Sequence, residues 1–232
     1  MNATTVVKEE KQNSAGTQDV YLRQLDIISK EKFSYPICII GAGATGSFLT
    51  LALAKMGLNN IKLWDFDSVE LHNFPNQIFR LQDLNGLKAE KTAEIVKDFT
   101  GTKIKFSNSK FELQPANGIV VLGVDSMKSR KEIYNRLKKM KDVKFVIDPR
   151  SGAENGRVYT VDMTSAGEQK FYEQYFYDDS RTEPTPCTAQ AVIYSVLFLS
   201  AIISNQIKRL LMNQAYLKEI IYDMTSYMML TK

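Results

Sequence analysis

Three glycines, Gly41, Gly43 and Gly46, stand at G-x-G-x-x-G spacing in YPICIIGAGATGSFLTLALAKMG, between an apolar run and a helical one. Glycines permit a tight turn and a close backbone approach, and the amides that open the following helix favour an anion. The chemistry written there is phosphate binding. Asp65 closes the next apolar run, about 20 residues on, where a carboxylate can accept hydrogen bonds from both hydroxyls of a nucleotide ribose. NAD and ATP satisfy this pair of features equally, and a ligand-free strand-to-helix turn satisfies the glycines alone. No G-x-x-x-x-G-K-[ST] occurs, which excludes a P-loop.

Four further side chains carry chemistry. Lys88, at a helix start, is a phosphate ligand or a surface lysine. Asp125, in LGVDSMKSR after an apolar run, is a carboxylate beside phosphates or a cap of the next helix. Cys187, in EPTPCTAQAV, stands where a polar stretch meets a long helix, and the dipole of a helix start stabilises a thiolate. It is a nucleophile or a simple helix-start cysteine. His72, the one histidine, is a phosphate contact or, as the preferred reading, a local hydrogen-bonding residue. With Cys38 inside an apolar run as a buried filler, one histidine and two distant cysteines make no four-cysteine zinc site.

These residues need elements to position them. Residues 37–40 are a short apolar run without a period, as a strand buried on both faces would be; 61–64, 103–106 and 119–122 are strand-like, and 145–147 reads as another buried strand. Residues 47–56, 87–98 and 128–141 alternate with them as helices, which argues an α/β fold with a mostly parallel sheet. Residues 157–161 alternate and predict an antiparallel extension, 188–212 a long apolar helix, and 219–230 a closing strand. Residues 20–30 have helical spacing. Residues 165–186 are too polar and proline-rich for a core element and read as a mobile loop. Residues 1–18 are a polar tail, expected to be disordered and unlike a secretory signal.

Composition narrows the classes. The 232 residues carry a formal net charge of +4 and no block of like charge, so no nucleic-acid arm is expected. No stretch reaches the roughly 18 apolar residues of a membrane span. Without a disulfide framework, a reducing, cytoplasmic setting is expected.

WDFDSVELHNFPNQIFRLQDLNGLKAEKTAEI, residues 64–95, is more specific than the glycines. It resembles the ThiF/MoeB superfamily, which includes the ubiquitin-activating enzymes. Members carry D-x-D-x-V, then N-L-x-R-Q, then G-x-x-K-A opening a helix. Asp65, Asp67 and Val69 match the first part, Asn73, Phe74 and Gln77 the second, and Gly86, Lys88 and Ala89 the third. The resemblance implies a Rossmann-like domain over 19–232 with helices on both faces. It implies an enzyme that binds ATP and Mg²⁺ and adenylates the C-terminal carboxylate of a ubiquitin-like or sulfur-carrier protein ending in glycine.

Residue by residue, the resemblance gives Asp125 the Mg²⁺ and Lys88 the phosphates, with Arg130 structural. YLRQLDII resembles the family's Y-x-R-Q helix, which makes Arg23 a trans arginine on the partner's ATP and the protein a homodimer. PTPCT fits a P-x-C-T cysteine, so Cys187 takes the modifier as a thioester, takes part in persulfide chemistry, or does neither. A conjugating enzyme or a sulfurtransferase would then be a partner. The loop 165–186 would cover the substrate tail, lined by Tyr172, Tyr175, Phe176 and Tyr177, unless those rings pack it onto the body. A prokaryotic source is expected, because no separate catalytic-cysteine or ubiquitin-fold domain is present.

One departure matters. The family's N-L-x-R-Q arginine is Asn76 here, which donates hydrogen bonds but carries no charge. Arg80, eight residues before Lys88, is the substitute cation. Three rivals stay open: an NAD-dependent oxidoreductase, a non-catalytic scaffold, and an enzyme that activates a peptide or tRNA-linked carboxylate.

Overall fold

The computed structural model describes residues 20–112, 114–177 and 192–232. The expected tail therefore lies outside the described residues. One eight-stranded sheet runs through the molecule in the order β3-β2-β1-β4-β5-β6-β7-β8. Its strands are β1 Ile37–Ile40, β2 Ile61–Trp64, β3 Lys105–Ser107, β4 Gly118–Leu122, β5 Val143–Gly152, β6 Asn155–Asp162, β7 Glu219–Asp223 and β8 Met228–Thr231. The pairs from β3 to β5 are parallel, and those from β5 to β8 antiparallel.

The period of two along each strand divides the core into two layers. Ile37 and Ile39 of β1, with Ile119 and Val121 of β4, face α1 (Ala44–Lys55), α2 (Lys88–Thr100) and α5 (Ile193–Leu211) through Leu49, Val96 and Ile203. Cys38, Ile40, Val120 and Leu122 face α3 (Met127–Leu137) and α4 (Ala166–Glu173) through Tyr134 and Tyr172. Both faces are covered, which is why these strands read as unbroken apolar runs.

Four segments differ from the sequence reading. From Tyr21 on, the segment 20–30 forms no α-helix but two short 3₁₀ turns, Leu22–Gln24 and Lys30–Lys32, docked by buried Ile28 and by Tyr21 edge-on to Phe33. β5 runs ten residues rather than three, because its outer half pairs with β6 down to Gly152↔Asn155. Residues 219–230 hold two strands. Asp223 accepts from the Thr225 N–H (2.9 Å) and the Ser226 hydroxyl (2.7 Å) and turns the chain between them.

The fourth is the expected loop. Residues 166–173 are the helix α4, capped by Ser165, which accepts the Glu168 N–H at 3.3 Å. Tyr172 is wholly buried within it. The rest of the expected loop, 178–186, lies outside the described residues.

Candidate functional site

β1 and β4 are neighbours, and the chain leaves their carboxyl ends towards opposite edges of the sheet. Ligands of open α/β sheets bind in the crevice at that point. Gly41, just past β1, donates its N–H to Trp64 O at 2.7 Å and holds φ at +104°. A Cβ on Gly41 would lie 2.3 Å from Gly123 O, at the end of β4. A Cβ on Gly46 would lie 1.9 Å from Gly41 O. Both glycines are therefore demanded by the loop itself.

Gly43 is different. Its φ is −74°, open to any residue, and a Cβ there would meet nothing within 4 Å. Packing does not require a glycine at this position, and the space it leaves opens onto the start of α1. No side chain caps that helix among the described residues, so its first N–H groups are open to an anion.

Asp65 fixes the loop from the neighbouring strand. Its Oδ2 accepts the Ala42 N–H at 2.6 Å and its Oδ1 the Asp67 N–H at 2.7 Å. Burial raises its carboxyl above the usual range, and the backbone N–H groups offset part of that rise. Each oxygen keeps a second lone pair, so a ribose contact remains open to it. Lys88 opens α2 with a mostly buried side chain. Its Nζ stands 3.3 Å from the half-exposed Asp67 carboxylate, and its N–H donates to Asp67 O at 2.9 Å.

Asn73 is buried, with its Oδ1 on the Glu70 N–H at 2.8 Å and its carbonyl on the Gln77 N–H at 2.9 Å. It shapes the segment that carries Asn76 and Gln77, and the Ile78 N–H meets Ser47 Oγ of α1 at 3.4 Å. The Gln77 Oε1 is buried without a partner among the described residues. His72 is exposed beside Glu70 at 3.4 Å.

Asp125 is exposed on the turn between β4 and α3. It does not cap α3, because Ser126 does, accepting the Ser129 N–H at 3.1 Å. The Gly123 N–H donates to Ile40 O at 2.7 Å, which sets this turn against the glycine loop. Among the described residues no cluster of three His, Cys, Asp or Glu side chains could hold a metal by itself. Two grooves, of about 270 and 440 Å³, are lined by residues such as Lys97, Gly101 and Lys103 near the end of α2, and neither touches the glycine loop.

A family model described as "ThiF family" matches residues 21–228. The chain belongs to the ThiF family. It is 34% identical over 113 residues to the Nedd8-activating enzyme E1 catalytic subunit of Drosophila melanogaster, covering 45% of this chain and 25% of that protein. It is 44% identical over 62 residues to the tRNA threonylcarbamoyladenosine dehydratase of Escherichia coli, covering 26% of this chain and 23% of that one. The chain thus spans about a quarter of the length of these relatives. Among solved structures, PaaA superposes with a TM-score of 0.71 at 15% identity, over 100% of this chain and 74% of that one. E. coli MccB with ATP gives 0.70 at 14%, over 92% and 70%. At such identities the likeness is one of fold.

Two expectations for this ThiF-family chain are corrected by its geometry. Arg80 is not a spare cation. Its Nε and Nη2 each lie 3.0 Å from Asp83 and its Nη1 2.9 Å from Asp98, so two carboxylates already balance it. The Asp83 hydrogen bonds hold its guanidinium above its ordinary pKa. Tyr172 lines no channel. Its hydroxyl donates to buried Asp148 at 2.8 Å, and its ring packs edge-on against Tyr134. Burial pushes the Tyr172 hydroxyl up to about 12, so it stays a donor. Phe176 joins the same cluster, Tyr175 packs on Tyr159, and Tyr177 is half-exposed.

Arg23 is exposed on its 3₁₀ turn. Adjacent Tyr21 reaches Ala54 O, near the end of α1, at 3.4 Å. Ten residues of helix put that point about 15 Å from the start of α1. Cys187 lies outside the described residues, and the described helix after it begins at Ile193. Cys38 is buried in β1, where burial raises its thiol.

The sequence reading passed over Asp148 and Arg150, in FVIDPRSG. Asp148 is fully buried and paired with both Arg130 and Arg150. A charged pair directly after a buried apolar run was the available signal.

Proposed function

We propose that this chain adenylates the C-terminal carboxylate of a ubiquitin-like or sulfur-carrier protein, using ATP. The observation that carries the reading is the open space at Gly43 before an uncapped helix, flanked by the Asp67–Lys88 pair and the Asp125 turn. The substrate carboxylate oxygen attacks the α-phosphorus, the bond to the bridging oxygen breaks, and pyrophosphate leaves. No enzyme nucleophile is needed. Negative charge gathers at the phosphorus, so donors and cations must converge there.

The α1 amides receive the phosphates. Lys88 exchanges Asp67 for the nucleotide, and the unpaired Gln77 Oε1 accepts from it. Mg²⁺ suits a site with one carboxylate plus substrate phosphates, and Asp125, exposed on the turn after β4, would hold it. When bound, the ion supplies charge neutralisation to the triphosphate. Arg23 serves the partner's site in a homodimer. The Cys187 thiolate then attacks the carbonyl carbon of the adenylate, the bond to the phosphate oxygen breaks, and AMP leaves as the carrier's thioester forms.

Loss of charge at Asn76, together with the capture of Arg80 by Asp83 and Asp98, favours a second reading, a scaffold that binds without turnover. ATP–pyrophosphate exchange with β-grasp proteins ending in Gly-Gly separates the two. The adenylation reading expects exchange that stops when the carrier's last glycine is removed. Tighter calorimetric binding of NAD than of ATP with Mg²⁺ would sink it.

A further inference from the structure

Buried Arg130 and the mostly buried Arg150 share one carboxylate in the middle of β5. Asp148 Oδ1 accepts from Arg130 Nη1, while Oδ2 accepts from Arg150 Nε and from the Tyr172 hydroxyl, each at 2.8 Å. Arg130 does more. Its Nη1 also donates to Leu122 O at 3.0 Å and to Pro149 O at 3.3 Å, and its Nη2 donates to Val124 O. Leu122 ends β4, and Val124 immediately precedes Asp125. Arg150 Nη1 donates to Tyr175 O at 2.7 Å, and its guanidinium lies over the Tyr159 ring at 4.8 Å.

Stability alone does not call for these charges. Well-packed apolar residues in place of a buried ion pair are often equally stable or more so. What apolar side chains cannot do is satisfy Leu122 O and Val124 O, which flank the turn at the end of β4. Burial pulls the Arg130 guanidinium down to about 10, so it remains charged at neutral pH.

We propose that Asp148 is a positioning residue. Through Arg130 it fixes the turn that presents Asp125, and through Arg150 it fixes the backbone at Tyr175, so one carboxylate ties the turn after β4 to the segment that follows α4. The assignment rests on the adenylation reading, because it gives Asp125 the Mg²⁺ ion.

The test uses the full chain with Asp148→Asn, which keeps the shape and removes the charge. ATP affinity is measured by calorimetry with and without Mg²⁺, alongside the Mg²⁺ dependence of pyrophosphate exchange. The expected result is Mg²⁺-free ATP affinity within about 2-fold of wild type, with the Mg²⁺-dependent gain cut about 10-fold, the low end for a residue that orients a metal ligand. Half-saturation of exchange should move to higher Mg²⁺. An unchanged Mg²⁺ gain in the folded variant overturns the proposal.

If Asp148→Asn does not fold, Tyr172→Phe decides, since it deletes one donor to Asp148 and keeps the ring. A smaller loss of the same Mg²⁺ gain supports the proposal, and no loss overturns it. A wild type that binds ATP without any Mg²⁺ gain removes the adenylation reading as well. A wild type that shows the gain beside unaffected variants removes this proposal alone.

Discussion

Gly43→Ala and Gly46→Ala change the same atoms three residues apart and should separate ligand binding from folding. At Gly46 the new methyl would sit 1.9 Å from Gly41 O, well inside contact distance, and the obstacle is backbone. The loop or α1 must shift by more than an ångström. Overpacking of that kind costs about 1–3 kcal/mol, and a chain of this length loses about 2–4 °C per kcal/mol. The expected fall in Tm is roughly 2–12 °C. At Gly43 the methyl enters open space at φ −74°. Alanine is worse than glycine as an N-cap by about 0.5–1 kcal/mol but lowers the entropy of the unfolded chain by a similar amount. These effects offset, and Tm should stay within about 2 °C. The same methyl blocks the approach of a phosphate, so ATP affinity should fall by at least about 10-fold, or about 1.4 kcal/mol. Thermal unfolding and calorimetric titration measure the two quantities. Wild-type ATP affinity in Gly43→Ala would show that the open space is not ligand space, and an unchanged Tm in Gly46→Ala would refute the close-approach argument.

Three further outcomes are expected. Burial acts to raise the Asp83 carboxyl, but its hydrogen bonds from Arg80 outweigh that and hold it below the usual range. Its contribution is therefore present above the unfolded carboxylate value and lost as pH falls through the folded one. Asp83→Asn should flatten the loss of stability below about pH 4 in denaturant melts, and an unaltered acid limb would contradict the pairing. Arg23→Ala mixed with Asp125→Ala should recover part of the exchange activity, because a heterodimer holds one site with both residues intact. Heterodimers that form without recovery would confine Arg23 to its own subunit. Cys187→Ser should leave pyrophosphate exchange nearly unchanged while abolishing a reductant-sensitive adduct with the carrier. Persistence of that adduct on a gel would place the thiol elsewhere.

The centre of the parallel half was legible because strands covered on both faces must be apolar throughout, and β1 and β4 are. The glycine loop was legible from spacing, although only the Cβ contacts separate Gly43 from its neighbours. Helix α4 was missed because it shows solvent a polar exterior and buries little beyond Tyr172. SAGE at its start, an S-x-x-E cap pattern, was the local clue. Pro149 hid the outer half of β5, since proline argues against a strand interior. Capture of Arg80 by Asp83 is a three-residue contact and could have been read. Its second partner, Asp98, and the pairing of Arg130 with Asp148 are non-local and left no trace in the pattern.

The contact between Gly41 and Gly123 has a consequence for how the protein is made. β1 is flanked by β2 and by β4, and β4 begins about 80 residues later, so one wall of the crevice closes only by long-range pairing of the slow kind. A nascent or truncated chain that ends after α2 holds all three glycines and Lys88 yet lacks the turn against which the loop is seated. Any ligand of the loop then binds only molecules in which β4 has docked, and stabilises those by mass action. Nucleotide capture during refolding would time the arrival of β4, and the far-UV signal of the helices should run ahead of it.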